Sequence, residues 1–223
     1  MPFMRFVSGI TVLAVAVALS SLSGIASADE LFTPTEDPAN GARLFQTKGC
    51  GRCHAINGVG GTKGPDLGRI ARPRSFYDLA AAMWDHLPQM ATQLWSSPSS
   101  PTEKSYVTPN EMSDLIAFLY QPGAFGQKLP AQPGDPRDGE RLIADKGCLV
   151  CHSLESPPRG KVGGSLSQLK GLDSPWTIIA KMWNHGFLMV ATIEGGNSAW
   201  PQLTSREMAD LVAFLRAHGF AGH

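Results

Sequence analysis

The sequence predicts an all-α protein built from two tandem copies of one small helical domain. Three observations carry this. The pentapeptide Cys-x-x-Cys-His occurs twice, as Cys50-Gly51-Arg52-Cys53-His54 and Cys148-Leu149-Val150-Cys151-His152, 98 residues apart, and uses all four cysteines of the chain. The segments around the two copies match one another over most of their length, which marks a duplicated domain. Helix-start signals recur in each copy, whereas strand-type runs are scarce beside 24 Gly and 17 Pro, a balance that suits short helices joined by irregular loops.

From the N-terminus, residues 1–28 are predicted to be a secretory signal peptide. Arg5 gives a positive start, Phe6 to Leu22 is apolar and uncharged, and Ala26-Ser27-Ala28 is a small-residue cleavage site, with Asp29-Glu30 opening the mature chain. Cleavage after Ala28 predicts a periplasmic protein with no membrane span left. The alternative, an uncleaved anchor, needs a span near the lower length limit. The mature chain, Asp29 to His223, carries 18 basic and 19 acidic side chains. That near-neutral balance gives no footprint for nucleic acid and no strongly charged docking patch.

The predicted divisions are a first domain over 29–121, a Pro/Gly linker over 122–134 and a second domain over 135–223. Asp37-Pro38 pairs with Asp135-Pro136, Gly41 and Leu44 with Gly139 and Leu142, Met83-Trp84 with Met182-Trp183, His86 with His185, Met90 with Met189, and Glu111-Met112 with Glu207-Met208. The linker, with its prolines and glycines, predicts a semi-rigid spacer. In each copy an Asp N-cap followed by proline opens a first helix. Ser75 and Ser174 open a middle helix. The boxes Thr108…Glu111 and Thr204…Glu207 open a last one, at about 109–120 and 205–217.

Cys-x-x-Cys-His is the spelling of a c-type haem attachment site. Two thiols add across the haem vinyl groups, and the adjacent imidazole takes one face of the iron. The cofactor-binding residues are therefore Cys50, Cys53, His54, Cys148, Cys151 and His152, with His54 and His152 as iron ligands. A disulfide within each pair, which export would permit, leaves the two histidines unexplained.

This layout resembles class I c-type cytochromes, repeated in the tandem di-haem arrangement of cytochrome c4, though without that protein's own loop sequences. The resemblance implies that the first and last helices cross through Gly41 and Phe45 against Phe118, and through Gly139 against Phe214, with Ile143 replacing the aromatic. In Gly64-Pro65-Asp66-Leu67 it implies a proline carbonyl that accepts the Nδ1–H of His54. Gly163-Gly164 stands at that place in the second copy and lacks the proline.

The second iron ligand must come from a methionine, a histidine or another donor. Six methionines outside residues 1–28 fall into the pairs 83/182, 90/189 and 112/208. Met112, Met208, Met83 and Met182 sit inside predicted helices, where core packing is their expected role. Met90 and Met189 are predicted to lie in a loop after the middle helix, which Pro88 and Gly186 would end. Class I cytochromes place their methionine ligand in a loop after this helix, so the resemblance implies Met90 and Met189 as distal ligands, with His86 and His185 as alternatives. Trp84, Trp176 and Trp183 are expected to wall the haem pockets and Trp200-Pro201 to cover a haem edge. Arg69, Arg72 and Arg74 form a basic loop cluster. His218 and His223 are expected in solvent.

The resemblance implies two covalently attached haem c groups and a periplasmic electron carrier that passes single electrons between redox protein partners, a membrane respiratory complex among them, and is not an enzyme. The alternatives are a haem enzyme of the di-haem peroxidase or thiosulfate dehydrogenase type, or an electron-transfer subunit of a larger respiratory complex.

Overall fold

The structure, a computed structural model, describes Met1 and residues 36–70, 75–95, 106–121, 130–155, 161–194 and 199–220. The predicted signal peptide beyond Met1, Arg72, Arg74, most of the predicted linker and His223 lie outside the described residues. Among those residues are eight helices: α1 (Pro38–Thr47), α2 (Phe76–Asp85), α3 (Leu87–Trp95), α4 (Pro109–Leu119), α5 (Pro136–Asp145), α6 (Cys148–Cys151), α7 (Pro175–Glu194) and α8 (Ser205–Phe220). Among the described residues sheet is confined to a small hairpin of β1 (Ala55–Ile56) and β2 (Val59–Gly60). Asn57-Gly58 supplies the two-residue turn that such a hairpin favours.

The helix starts form where the sequence signals them. Asp37 and Asp135 accept backbone N–H bonds at the starts of α1 and α5, each ahead of a proline. Ser75 with Asp78 and Thr108 with Glu111 make reciprocal capping boxes. At α8 the Thr204 N–H donates to Glu207 at 2.8 Å and the Glu207 N–H to the Thr204 hydroxyl at 3.2 Å. Each satisfies donors that a helix end leaves unpaired.

α1 packs across α4, and α5 across α8. The crossings are close because no side chain intervenes. A Cβ on Gly41 would stand 1.9 Å from the Asp114 carbonyl oxygen, and one on Gly139 would stand 2.1 Å from that of Asp210. Phe45 and Phe118 meet with ring centroids 5.6 Å apart, and Ile143 fills the corresponding place at 1% exposure. Two buried carboxylates that the sequence reading overlooked secure these crossings. Asp114 accepts the Asp37 N–H at 2.8 Å and the Asn40 amide at 2.6 Å. Asp210 accepts the Asp135 N–H at 2.7 Å and pairs with Arg206.

A second tie joins each first helix to the end of the loop before the last one. Lys48 reaches Glu111 at 2.9 Å and the Tyr106 carbonyl at 2.6 Å. Lys146 reaches Glu207 at 2.8 Å and the Gln202 carbonyl at 2.9 Å. Burial alone would raise both carboxyls. The hydrogen bonds from Thr108 and Lys48, and from Lys146 and Thr204, outweigh it and hold both below the usual carboxylate range. Carboxyls lowered in this way stabilise the fold above their ordinary pKa of 4.5 and lose that contribution as the pH falls through the lowered folded values. Replacing Lys48 and Lys146 together by Met is expected to cost about 1 kcal/mol per pair at neutral pH. Acid titration followed by far-ultraviolet circular dichroism should then show a shallower loss of stability between neutral pH and the acid transition.

The two halves meet through α2, α3 and α4 on one side and α7 and α8 on the other, and one apolar core runs through both. The contacts cross over in a near two-fold manner. Asp85 accepts the Leu203 N–H at 2.8 Å, while its counterpart Asn184 accepts the Val107 N–H at 2.9 Å and donates to the Val107 carbonyl at 2.8 Å. The Trp84 indole N–H donates to the Pro201 carbonyl at 2.7 Å, and Trp200 donates to the Trp84 carbonyl at 3.0 Å, with the two rings 4.5 Å apart. Phe76 meets Trp176 at 4.5 Å. A gap of only about 10 Å³ remains among Met83, Trp84, Leu87, Met182, Trp183 and Met208, too little for more than a single water.

Several expectations change here. Trp84, Trp176 and Trp200 pack the seam between the halves, because their apolar rings have an opposing helix to bury against. Gly186 does not end its helix: α7 continues to Glu194. A Cβ there would fall 2.2 Å from Leu87 Cδ2, so this glycine serves helix approach. Pro88 likewise does not begin a loop. It stands at the second position of α3, where proline is tolerated because the N–H it lacks would have no partner. Residues 130–134 are not a free spacer, since Ala131 is buried and the Pro133 carbonyl accepts from Arg206 on α8. His218 is partly buried, with its ring 4.1 Å from Phe214. Met112 and Met208, at 0% exposure, are core residues as expected.

Candidate functional site

The two Cys-x-x-Cys-His segments fold alike. Each follows the first helix of its half through a glycine in the left-handed region, Gly49 or Gly147, and tightens into one short turn of helix, Cys50–Arg52 or Cys148–Cys151. That turn puts both sulfurs on one stretch of backbone with the histidine just beyond. The His54 N–H bonds the Cys50 carbonyl and the His152 N–H bonds the Cys148 carbonyl, both at 2.9 Å. All four cysteines are free thiols. Burial pushes the Cys50 thiol up to about 11 and moves Cys148 in the same direction.

Both histidine rings are oriented by a backbone carbonyl. His54 Nδ1 lies 3.0 Å from Pro65 O, and His152 Nδ1 lies 3.1 Å from Gly164 O. A carbonyl oxygen only accepts, so each Nδ1 carries the proton and each Nε2 is left with its lone pair free. The missing proline in the second half does not cost the bond. The Gly64 N–H bonds Cys53 O and the Gly163 N–H bonds Cys151 O, each at 2.8 Å, so the carbonyl is placed by backbone hydrogen bonding in both halves. Close approach also requires these glycines: a Cβ would meet the His54 ring at 2.5 Å or the His152 ring at 2.6 Å.

Of the residues considered for the far face, His185 is the one the structure brings beside a proximal histidine. In the C-terminal half the His185 ring faces that of His152, with centroids 5.9 Å apart and planes at 63°. Much of His185 is open to solvent, yet burial on its inner side and then the neighbouring His152 hold it below the usual imidazole range. Met189 lies one turn further along α7, half-buried against the apolar core. In the N-terminal half His86 Nδ1 donates to the Ala82 carbonyl at 2.8 Å, which also leaves its Nε2 unprotonated. Met90 is half-buried on α3, with its N–H bonded to the His86 carbonyl at 3.1 Å. Neither methionine lies in a loop. An open cleft of about 590 Å³ lies between Lys63, next to Gly64, and Gln89, Thr92 and Gln93 of α3, a volume within the range of cofactor pockets.

Paired thiols on one turn and an imidazole fixed with its free nitrogen outward fit a covalently held haem. Residues 38–121 match the family described as Cytochrome c. That segment is similar to a cytochrome c domain. Its bounds take in α1 to α4 and the first Cys-x-x-Cys-His turn. No curated protein and no solved structure matches the chain. A cytochrome c domain binds haem c through its cysteines and serves haem-based electron transfer, and the mostly helical structure agrees with that fold. Among the described residues no helix is long and apolar enough to cross a membrane. Of the basic cluster near the domain's loop, Arg69 pairs with Asp66 at 3.1 Å.

The sequence reading missed Asp85 and Asn184, which tie the N-terminal half to the C-terminal half. Each lies between Trp and His in the repeated Met-Trp-x-His stretch. A polar side chain at a matched position inside an otherwise apolar helix was the available signal.

Proposed function

We propose that the chain is an exported di-haem c-type cytochrome that carries single electrons between redox protein partners in the periplasm, with a second cytochrome c domain over 135–223. The observation that carries this is the repetition of one complete construction: the cysteine turn, the adjacent histidine and the carbonyl on its Nδ1 recur in both halves at distances within about 0.1 Å of each other.

Cys50 and Cys53 anchor one haem and Cys148 and Cys151 the other. When bound, haem c supplies a one-electron couple at iron. His54 and His152 present Nε2 to the metal, and the carbonyls of Pro65 and Gly164 fix the tautomer and make each imidazole a stronger donor. Met90 or His86 completes the N-terminal site, and Met189 or His185 the C-terminal one. The shared core and the crossed hydrogen bonds of the seam hold the two halves in one fixed relation. Fixed ligands keep the structural change on electron transfer small, which suits a carrier.

The test is the mass of the protein expressed with its leader in a host that attaches haem c. The mature chain is expected to begin at Asp29 and to carry two haems, and Cys148→Ser with Cys151→Ser is expected to remove one. A wild-type mass with a single haem would overturn the di-haem reading.

A further inference from the structure

We propose that His185 supplies the second axial ligand to the iron at the C-terminal site, so that this haem is held between two imidazoles. The inference rests on the di-haem reading and adds a ligand to it.

The first argument is the spacing of the rings. A metal ion stands about 2 Å from an imidazole nitrogen, so the centroid of a ligating ring lies about 3 Å from the metal and two rings on opposite faces stand about 6 Å apart. The His152 and His185 centroids are 5.9 Å apart. His152 is already oriented, with Nδ1 on the Gly164 carbonyl, so the space its ring faces is the space where the iron belongs.

The second argument is that α7 is clamped at this level. Asn184, immediately before His185, makes two hydrogen bonds to the backbone of Val107. Gly186, immediately after it, packs so closely on the fully buried Leu87 that a Cβ would fall 2.2 Å from Leu87 Cδ2. His185 is therefore held between two residues locked to the other half. Met189 lies four residues on, about 6 Å along the helix axis. To stand at the level that His185 occupies, its backbone would have to draw α7 back by about one turn. That shift would break both Asn184 bonds and drive a side chain into Leu87. Because α7 is continuous through Gly186, no loop lets Met189 swing across independently. The methionine has another role, packing against the apolar core.

Two variants of the full-length diferric protein test this, read by near-infrared magnetic circular dichroism and low-temperature electron paramagnetic resonance after the haem content of each has been measured. Met189→Leu is expected to retain two haems and leave the spectra of both unchanged. His185→Ala is expected to convert one of the two haems from low spin to high spin and to make that haem bind carbon monoxide when reduced. His185→Met is expected to raise the midpoint potential of one haem, since methionine–histidine ligation favours the reduced iron.

Loss of a sulfur-to-iron charge-transfer band in Met189→Leu, or an unchanged low-spin spectrum in His185→Ala, would overturn the assignment. If His185→Ala fails to accumulate, the Met189→Leu spectra decide the matter alone. A wild-type chain with one haem overturns the di-haem reading and the assignment with it. A chain with two haems and a band that depends on Met189 overturns only the ligand.

Discussion

Gly41→Ala should destabilise the protein markedly, while the same change at Gly164 should be silent. The added atom is one Cβ in both. At Gly41 it would stand 1.9 Å from the Asp114 carbonyl oxygen and 2.7 Å from Phe118 Cβ, whereas nothing lies within 4 Å of it at Gly164. The first obstacle is backbone, so it cannot rotate away. α1 must move off α4, which pulls the Asp37 N–H and the Asn40 amide from the Asp114 carboxylate that accepts both. Alanine regains about 1 kcal/mol of helix propensity at Gly41. Against that, overpacking a well-filled contact costs about 3 kcal/mol, leaving a net loss of about 2 kcal/mol or more. For a chain of this size each kcal/mol corresponds to about 2–4 °C in melting temperature, so a drop of about 4–8 °C is expected by differential scanning calorimetry. Gly139→Ala should behave like Gly41→Ala, since its obstacle is the equivalent carbonyl of Asp210 at 2.1 Å. Equal melting temperatures for Gly41→Ala and Gly164→Ala would mean that the helix crossing has slack that the distances deny.

The repeated Cys-x-x-Cys-His motif was legible because covalent chemistry needs fixed residue types at a fixed spacing, whatever surrounds them. Helix starts were legible for a similar reason: Asp37, Thr108 and Thr204 cap through atoms within three residues of themselves. What the sequence concealed depends on distant partners. Gly186 read locally as a helix end, yet tertiary packing overrides it, whereas α2 does stop at Asp85, ahead of Pro88. Leu87 fills the space beside Gly186, and Pro88 falls in the first turn of a new helix. Trp84 read as a pocket wall and Trp200 as cover for a haem edge because a large ring in a haem protein has an obvious neighbour, but each found its partner more than a hundred residues away. The choice between histidine and methionine on α7 turns on which level of the helix faces His152. That level is set by Asn184 and Gly186 against the other half, so no periodicity within the helix could reveal it.

Trp84→Ala should uncouple the two halves as well as weaken them. The ring is 7% exposed, lies 4.5 Å from Trp200 and donates its indole N–H across the seam to Pro201 at 2.7 Å. Truncating a buried tryptophan costs about 3–5 kcal/mol, through lost burial and the cavity left behind. The Pro201 carbonyl also loses its donor. Trp84→Phe keeps most of the apolar area and loses mainly that bond, worth about 1 kcal/mol. The pair of variants therefore separates packing from hydrogen bonding. The site of the damage matters more than its size. α1 on α4 and α5 on α8 are crossings internal to each half, whereas the shared core at the seam is what makes one half depend on the other. The wild type should melt in a single cooperative transition. Trp84→Ala should split into two, with calorimetric and van't Hoff enthalpies no longer equal. A variant that melts earlier but still in one step would place the coupling elsewhere, in the crossed bonds of Asp85 to Leu203 and Asn184 to Val107. Those three bonds survive the loss of the indole, since all run between backbone and a different side chain.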